Sequence, residues 1–275
     1  MLHTIIKLDE IFNGLKEKGQ GALLQTYIPD NSSEIEIGRR RPTIIICPGG
    51  AYSFASDREA EPVALRFVAK GYNAFVLRYS VAPHRYPQQL LELSATVAYV
   101  RRNAEAFHVD EEKIAVCGFS AGGHLAGSLG VLWQEPFIAQ TLGINAGENR
   151  PDRVILGYPV ITGGEFAHRG SFDNLLGQEA SQEARDQLSL EKLVSPSTPP
   201  TFIWHTFEDT AVPVNNSLIF AEALKAYEIP FELHIYTKGG HGLSLCDETT
   251  AGPEHPGLIN PQAATWVKLV TEWMR

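Results

Sequence analysis

Cysteine is scarce in this chain, with three residues (Cys47, Cys117 and Cys246) among 275. An odd count at wide spacing makes neither a disulfide framework nor a metal-ligand pattern. Cys47 and Cys117 fall at the ends of apolar runs, where a free thiol behaves as a small hydrophobe. Positive charge is also in short supply: 23 Lys and Arg stand against 32 Asp and Glu, a net charge of −9. The one cationic cluster, Arg39-Arg40-Arg41, reads as a solvated turn before a strand, so a nucleic-acid partner is not expected. No window approaches the ~18 consecutive apolar residues of a membrane helix. Residues 1–7 lack the charged start and long apolar core of a secretory signal. These absences lead to the expectation of a cytoplasmic protein in a reducing compartment, without membrane partner, metal or other cofactor. There is no internal repeat and no low-complexity tract, and the length suits a single α/β domain. The sequence leaves the oligomeric state open, a homo-oligomer included.

What is present is an alternation of short apolar runs with longer amphipathic segments. Strands are expected at 22–28, 43–47, 73–79, 113–117, 154–158, 201–205 and 231–236. Several are continuously apolar, as strands buried on both faces of a parallel sheet must be. Helices are expected at 59–70, 88–107, 121–133, 214–227 and 261–274, the last opened by Pro261. Repeated strand-helix-strand units predict a mostly parallel, doubly wound sheet. Residues 161–200 break the rhythm, being polar and helix-leaning without a strand. An insertion there is expected to form a small cap over the carboxyl ends of the strands, where ligands bind in this architecture.

The most informative stretch is Gly118-Phe119-Ser120-Ala121-Gly122, directly behind the apolar run 113–117. It reads as a strand that stops, a serine at the tip of a sharp turn, and a helix that starts at once. Strand and helix approach closely in such a turn, so a side chain two residues before or after the serine would clash. A serine hydroxyl is a weak nucleophile near pH 7 and needs a general base, itself oriented by an acid. Of nine histidines, His241 in Lys238-Gly239-Gly240-His241-Gly242 is best placed, after the last strand and before the final helix. His255 is the weaker rival base. His124, one turn along the elbow helix, is expected to pack rather than react, and His205 at a strand end is a candidate lining residue. For the acid, Asp209 follows the strand 201–205 and can reach a histidine on the neighbouring loop. Adjacent Glu208 is the alternative, and a helix cap is the plainer role for Asp209. The glycine-rich turn Pro48-Gly49-Gly50-Ala51-Tyr52 after strand 43–47 lacks the lysine of a phosphate loop. Its amides at Gly50 and Ala51 are expected to join that of Ala121 as an oxyanion hole. Tyr52 and Tyr79 are assigned to substrate binding, with core or surface roles left open for each.

With these residues in order, the chain resembles the α/β-hydrolase esterase/lipase superfamily along nearly its whole length. More narrowly it resembles the bacterial acetyl-xylan-esterase-like branch, near the hormone-sensitive-lipase-type esterases. The resemblance is carried by Pro48-Gly49-Gly50-Ala51-Tyr52, Ser56-Asp57-Arg58-Glu59-Ala60-Glu61-Pro62, Tyr79-Ser80-Val81-Ala82-Pro83 and Cys117-Gly118-Phe119-Ser120-Ala121-Gly122-Gly123-His124. Trp204-His205-Thr206 with Asp209, and Gly240-His241-Gly242, complete it. The chain departs from the lipase type in Pro48, where a histidine is usual, in Ala51, where a third glycine often stands, and in Phe119, where that type has aspartate. The resemblance implies an α/β-hydrolase fold and a serine carboxylesterase acting on small-molecule esters, short acetyl esters of carbohydrates among them. A peptidase or formamidase using the same triad, and a binding protein on the same fold, are the alternatives.

Overall fold

The computed structural model describes residues 1–16 and 21–275. Among the described residues, eight strands form one sheet: β1 (Ile5–Lys7), β2 (Leu23–Tyr27), β3 (Arg41–Cys47), β4 (Asn73–Arg78), β5 (Val109–Phe119), β6 (Arg153–Gly157), β7 (Thr201–Thr206) and β8 (Phe231–Tyr236). Their order is β1-β2-β4-β3-β5-β6-β7-β8. β1 and β2 run antiparallel to their neighbours, and every pair from β4 to β8 is parallel. The helices are α1 (Glu61–Val68), α2 (Gln88–Arg102), α3 (Ala121–Leu132), α4 (Pro136–Leu142), α5 (Arg169–Leu176), α6 (Gln182–Asp186), α7 (Asn215–Ala226), α8 (Glu248–Ala251) and α9 (Trp266–Trp273).

The period-2 alternation of a strand explains how continuous apolar runs serve two cores at once. Ile45 and Cys47 of β3 point to the layer that contains α2, α3 and α7. Ile44 and Ile46 point to the opposite layer, with α1 and α9. Val116 and Ala115 of β5, and Leu156 and Ile155 of β6, divide in the same way. A polar residue at any of these positions would be buried without a partner, which is why the central strands read as unbroken hydrophobic stretches.

The doubly wound architecture is the expected one; the departures lie at element ends. The helix expected at 59–70 begins only at Glu61, after a 3₁₀ turn at Asp57–Glu59, with Pro62 in its first turn, where a missing N–H costs nothing. The helix expected at 88–107 stops at Arg102, and turns carry the chain on to β5. The last α-helix starts at Trp266 rather than Pro261: Asn260 Oδ1 caps the amides of Gln262 and Ala263 at 3.1 and 3.0 Å, and the turn it opens is a 3₁₀ turn at Ala263–Thr265 that leads into α9. β5 begins four residues early, through the exposed stretch Asp110-Glu111-Glu112-Lys113, whose polarity hides it from a hydrophobic pattern. β1, Ile5-Ile6-Lys7 at the sheet edge, escapes the pattern because three residues are too few to show one. Residues 161–200 contain no strand; they hold α5, α6 and a 3₁₀ turn at Leu190–Lys192 between β6 and β7. Among the described residues, no helix is long and apolar enough to cross a membrane.

Candidate active site

Ser120 sits at the turn between β5 and α3 with φ 53° and ψ −119°, a conformation that side chains rarely adopt. Neighbours hold it there: Ser120 N–H donates to Gly157 O at 3.0 Å, and its carbonyl accepts from Val160 N–H and His124 N–H at 3.0 and 3.1 Å. The flanking glycines are sterically required. A Cβ on Gly118 would lie 2.0 Å from the carbonyl oxygen of Gly122, and one on Gly122 would lie 2.1 Å from that of Cys47. The turn therefore projects Oγ above the carboxyl ends of the strands, with the open amides of the first turn of α3 beside it.

His241 and Asp209 arrive from the loops after β8 and β7. His241 Nε2 lies 2.8 Å from Ser120 Oγ, and Nδ1 lies 2.6 Å from Asp209 Oδ2. A carboxylate only accepts, so Nδ1 carries the proton and the Nε2 lone pair faces the serine hydroxyl. Asp209 is 4% exposed. Burial pushes its carboxyl upward, but hydrogen bonds from His205 and His241, the His241 charge and the Val212 amide outweigh burial and hold it well below the usual carboxylate range. Its Oδ1 accepts the amides of Ala211 and Val212 at 3.0 and 2.9 Å, so Asp209 also caps its own loop. Glu208, the alternative acid, faces solvent and pairs with Lys238 at 2.5 Å. His255 is exposed on the loop before Pro256 and makes no hydrogen bond to Ser120 or Asp209.

His205 does not line the cavity. It lies behind the acid, fully buried, with Nε2 3.2 Å from Asp209 Oδ2 and 2.9 Å from Val212 O, and with Nδ1 2.8 Å from Ser217 Oγ. His124 packs in the core as expected. Its Nε2–H donates to Leu188 O at 2.9 Å and its Nδ1 accepts from Tyr52 Oη at 2.9 Å. Burial drives its pKa down to about 4.

The turn after β3 has left-handed backbone at three successive residues: Gly50 at φ 127°, Ala51 at 54° and Tyr52 at 58°. Among the described residues, the amides of Gly50 and Ala51 have no acceptor, while Gly49 N–H is taken by Glu59 Oε2 at 2.7 Å. Gly50, Ala51, Ser120 and His241 line one cavity of about 200 Å³, together with Phe54 and His168. A larger cavity of about 780 Å³ at Trp133 and Arg150 includes none of Ser120, Asp209 and His241, so its size has no bearing on this chemistry.

Tyr52 and Tyr79 need correction. Both are buried, at 1% and 4% exposure, and neither lines the cavity at Ser120. Tyr52 Oη bonds His124, and Tyr79 Oη donates to Pro48 O at 2.6 Å. Their hydroxyls brace the turn from below, since each ring is too large to sit in the core without a partner for its oxygen.

Two residues with a place in the site escaped the sequence reading. Glu59 is 3% exposed, and besides Gly49 N–H it accepts Tyr158 Oη–H at 2.6 Å. Tyr158 in turn accepts Ser244 N–H at 2.9 Å, and its ring stands edge-on to His241 at 5.1 Å. One carboxylate thus joins the Gly-Gly turn to the histidine loop. The segment containing Glu59 was singled out, but spacing gave no reason to bury a charge there. His168, on the 161–200 segment, has no sequence signal. Among the described residues, no cluster of three His, Cys, Asp or Glu side chains could hold a metal ion.

Known proteins resemble this chain in sequence and fold. The BD-FAE family model matches residues 24–224. The chain is 40% identical to endo-1,4-beta-xylanase B of Butyrivibrio fibrisolvens, over 76% of this chain and 33% of that protein. It is 29% identical to an acetylxylan esterase of Xylanibacter ruminicola, over 84% of this chain and 45% of that one. The chain thus spans a third to under half the length of these two relatives. Two solved structures match nearly end to end. An acetyl ester-xyloside bifunctional hydrolase from Caldicellulosiruptor lactoaceticus has a TM-score of 0.82 and 37% identity, covering 98% of this chain and 94% of that one. The carboxylesterase Cest-2923 from Lactobacillus plantarum WCFS1 has a TM-score of 0.83 and 30% identity, covering 100% and 97%. The elbow, the fold and the extent of the match lead to one conclusion: the chain belongs to the BD-FAE family, in the acetyl-xylan-esterase-like branch of the α/β-hydrolase esterases.

Proposed function

We propose that this protein is a serine carboxylesterase that removes short acyl groups, acetyl above all, from small-molecule and carbohydrate esters. The observation that carries this reading is the continuous chain from Ser120 Oγ through His241 to Asp209, at 2.8 and 2.6 Å, beside two unpartnered amides. His241 Nε2 takes the Ser120 proton as Oγ attacks the ester carbonyl carbon. The oxyanion lies against the amides of Gly50, Ala51 and Ala121, and Asp209 stabilises the imidazolium. His241 then protonates the departing alcohol, leaving an acyl-serine. Water, deprotonated by the same histidine, attacks that acyl group and restores Ser120.

The cavity of about 200 Å³ supports a small acyl group; sites for drug-sized ligands run from about 300 Å³ upward. The names of the acetylxylan esterase and the acetyl ester-xyloside hydrolase support carbohydrate acetates. We read residues 161–200 as a cap that supplies one wall of this pocket, within a single domain.

The test is turnover of 4-nitrophenyl acetate, butyrate and octanoate, with acetylated xylo-oligosaccharide alongside, by wild type and Ser120→Ala. Expected are rates that fall with chain length, acetate release from the sugar, and a loss on the order of 10⁴-fold or more in the variant. Undiminished turnover by folded Ser120→Ala would sink the assignment, and amide cleavage exceeding ester cleavage would move it to an amidase.

A further inference from the structure

His168 stands at the N-terminus of α5, and its ring lines the same cavity as Ser120 and His241. Its two nitrogens have different surroundings. Nδ1 accepts the backbone amide of Ser171 at 3.3 Å and lies 2.9 Å from Ser171 Oγ. A backbone N–H can only donate, so Nδ1 is the unprotonated nitrogen and Nε2 carries the hydrogen. Nε2 has no hydrogen-bond partner among the described residues, nor is it one of their enclosed polar atoms. The ring is half-buried. Burial, reinforced by the nearby His241 and opposed by Asp209, lowers its pKa. The segment that carries it is fixed to the oxyanion turn: Asn174 of α5 donates from Nδ2 to Ala51 O at 2.8 Å.

We propose that His168 is a specificity-determining residue whose Nε2–H donates to an oxygen on the alcohol part of the substrate, beside the scissile ester. This deepens the esterase reading and rests on it. The backbone amides of Gly50, Ala51 and Ala121 serve the carbonyl oxygen, and an acetyl group has no other oxygen to offer. A further donor on the lining of the same cavity therefore selects an alcohol with a vicinal hydroxyl, as in a sugar, over a plain alkyl alcohol. Arg58, another polar residue lining this cavity, already donates through Nη1 to Gly242 O at 2.9 Å, and exposed Phe54 adds apolar surface.

The experiment compares kcat/KM for ethyl acetate, 2-hydroxyethyl acetate and monoacetylated xylose in wild type, His168→Asn and His168→Phe. Asparagine keeps an acceptor for the Ser171 amide but falls short of the substrate, while phenylalanine keeps the ring's bulk without its donor. In both variants the preference for the hydroxylated acetates over ethyl acetate is expected to fall about threefold to tenfold, mostly through KM, the size of one lost hydrogen bond. An unchanged preference overturns the proposal, whether the rates stay level or fall equally on all three esters. Ser120→Ala runs alongside: its retained turnover would sink the esterase reading itself, whatever the preference does.

Discussion

The floor of this site and its wall are built in opposite ways. The floor comprises Ser120, Asp209 and His241, each within a few residues of a parallel strand's carboxyl end. Its backbone is strained at Ser120 and tied by bonds to Gly157 and Val160. On the wall side, residues 161–200 add no strand and contribute His168 to the cavity lining; they are held by apolar packing of Phe172, Leu188 and Leu190 in the core and by long-range hydrogen bonds. Asn174 reaches Ala51, 123 residues away in sequence, and His124 reaches Leu188, 64 residues away. The residues of the proposed mechanism thus sit on loops of the sheet, and the insertion is where a change in the proposed substrate choice is expected first.

Three substitutions sharpen or break that contrast. The largest effect is expected from Gly122→Ala in the floor. Its Cβ would meet the carbonyl oxygens of Cys47 and Pro48 at 2.1 and 2.4 Å, so strand or helix must move. A loss of about 3 kcal/mol or more in urea unfolding, with activity falling as well, is expected; a stable and active Gly122→Ala would mean that the elbow tolerates far more than its geometry implies.

Next comes His124→Gln, at the junction of floor and wall. The folded state holds His124 neutral down to about pH 4, whereas the unfolded chain protonates it near 6.5. A lowered histidine pKa means that the unfolded state binds more protons as pH falls, so stability present above pH 6.5 declines between 6.5 and about 4. That histidine accounts for about 3 kcal/mol of the decline. Urea unfolding at pH 7, 5.5 and 4.5 should show a shallower fall in the variant than in wild type; parallel curves would remove His124 as the cause.

The smallest effect is expected from Asn174→Ala, which removes the bond from α5 to Ala51 O. About threefold to tenfold lower kcat on 4-nitrophenyl acetate is expected, with KM and the unfolding midpoint little changed, because one hydrogen bond to an oriented carbonyl is lost. An unaltered kcat would show that the oxyanion turn keeps its shape without the insertion.

The sequence by itself determined the parallel strands of the sheet and singled out the residues that meet on the floor. Buried parallel strands must be continuously apolar, and an elbow must carry Gly118 and Gly122, so both leave local marks. The order of serine, acid and histidine then followed from the order of the strands. Even there, spacing could not separate Asp209 from Glu208; burial of one and exposure of the other did. Tertiary structure alone decided where Glu59, His168, His205, Tyr52 and Tyr79 stand. Glu59 and Tyr158 are 99 residues apart, and His205, expected as a lining residue, stands behind Asp209 instead. A tyrosine that lines a pocket and one that braces it from the core have the same local sequence. The difference lies in which distant atoms meet the hydroxyl, and packing sets that, not periodicity.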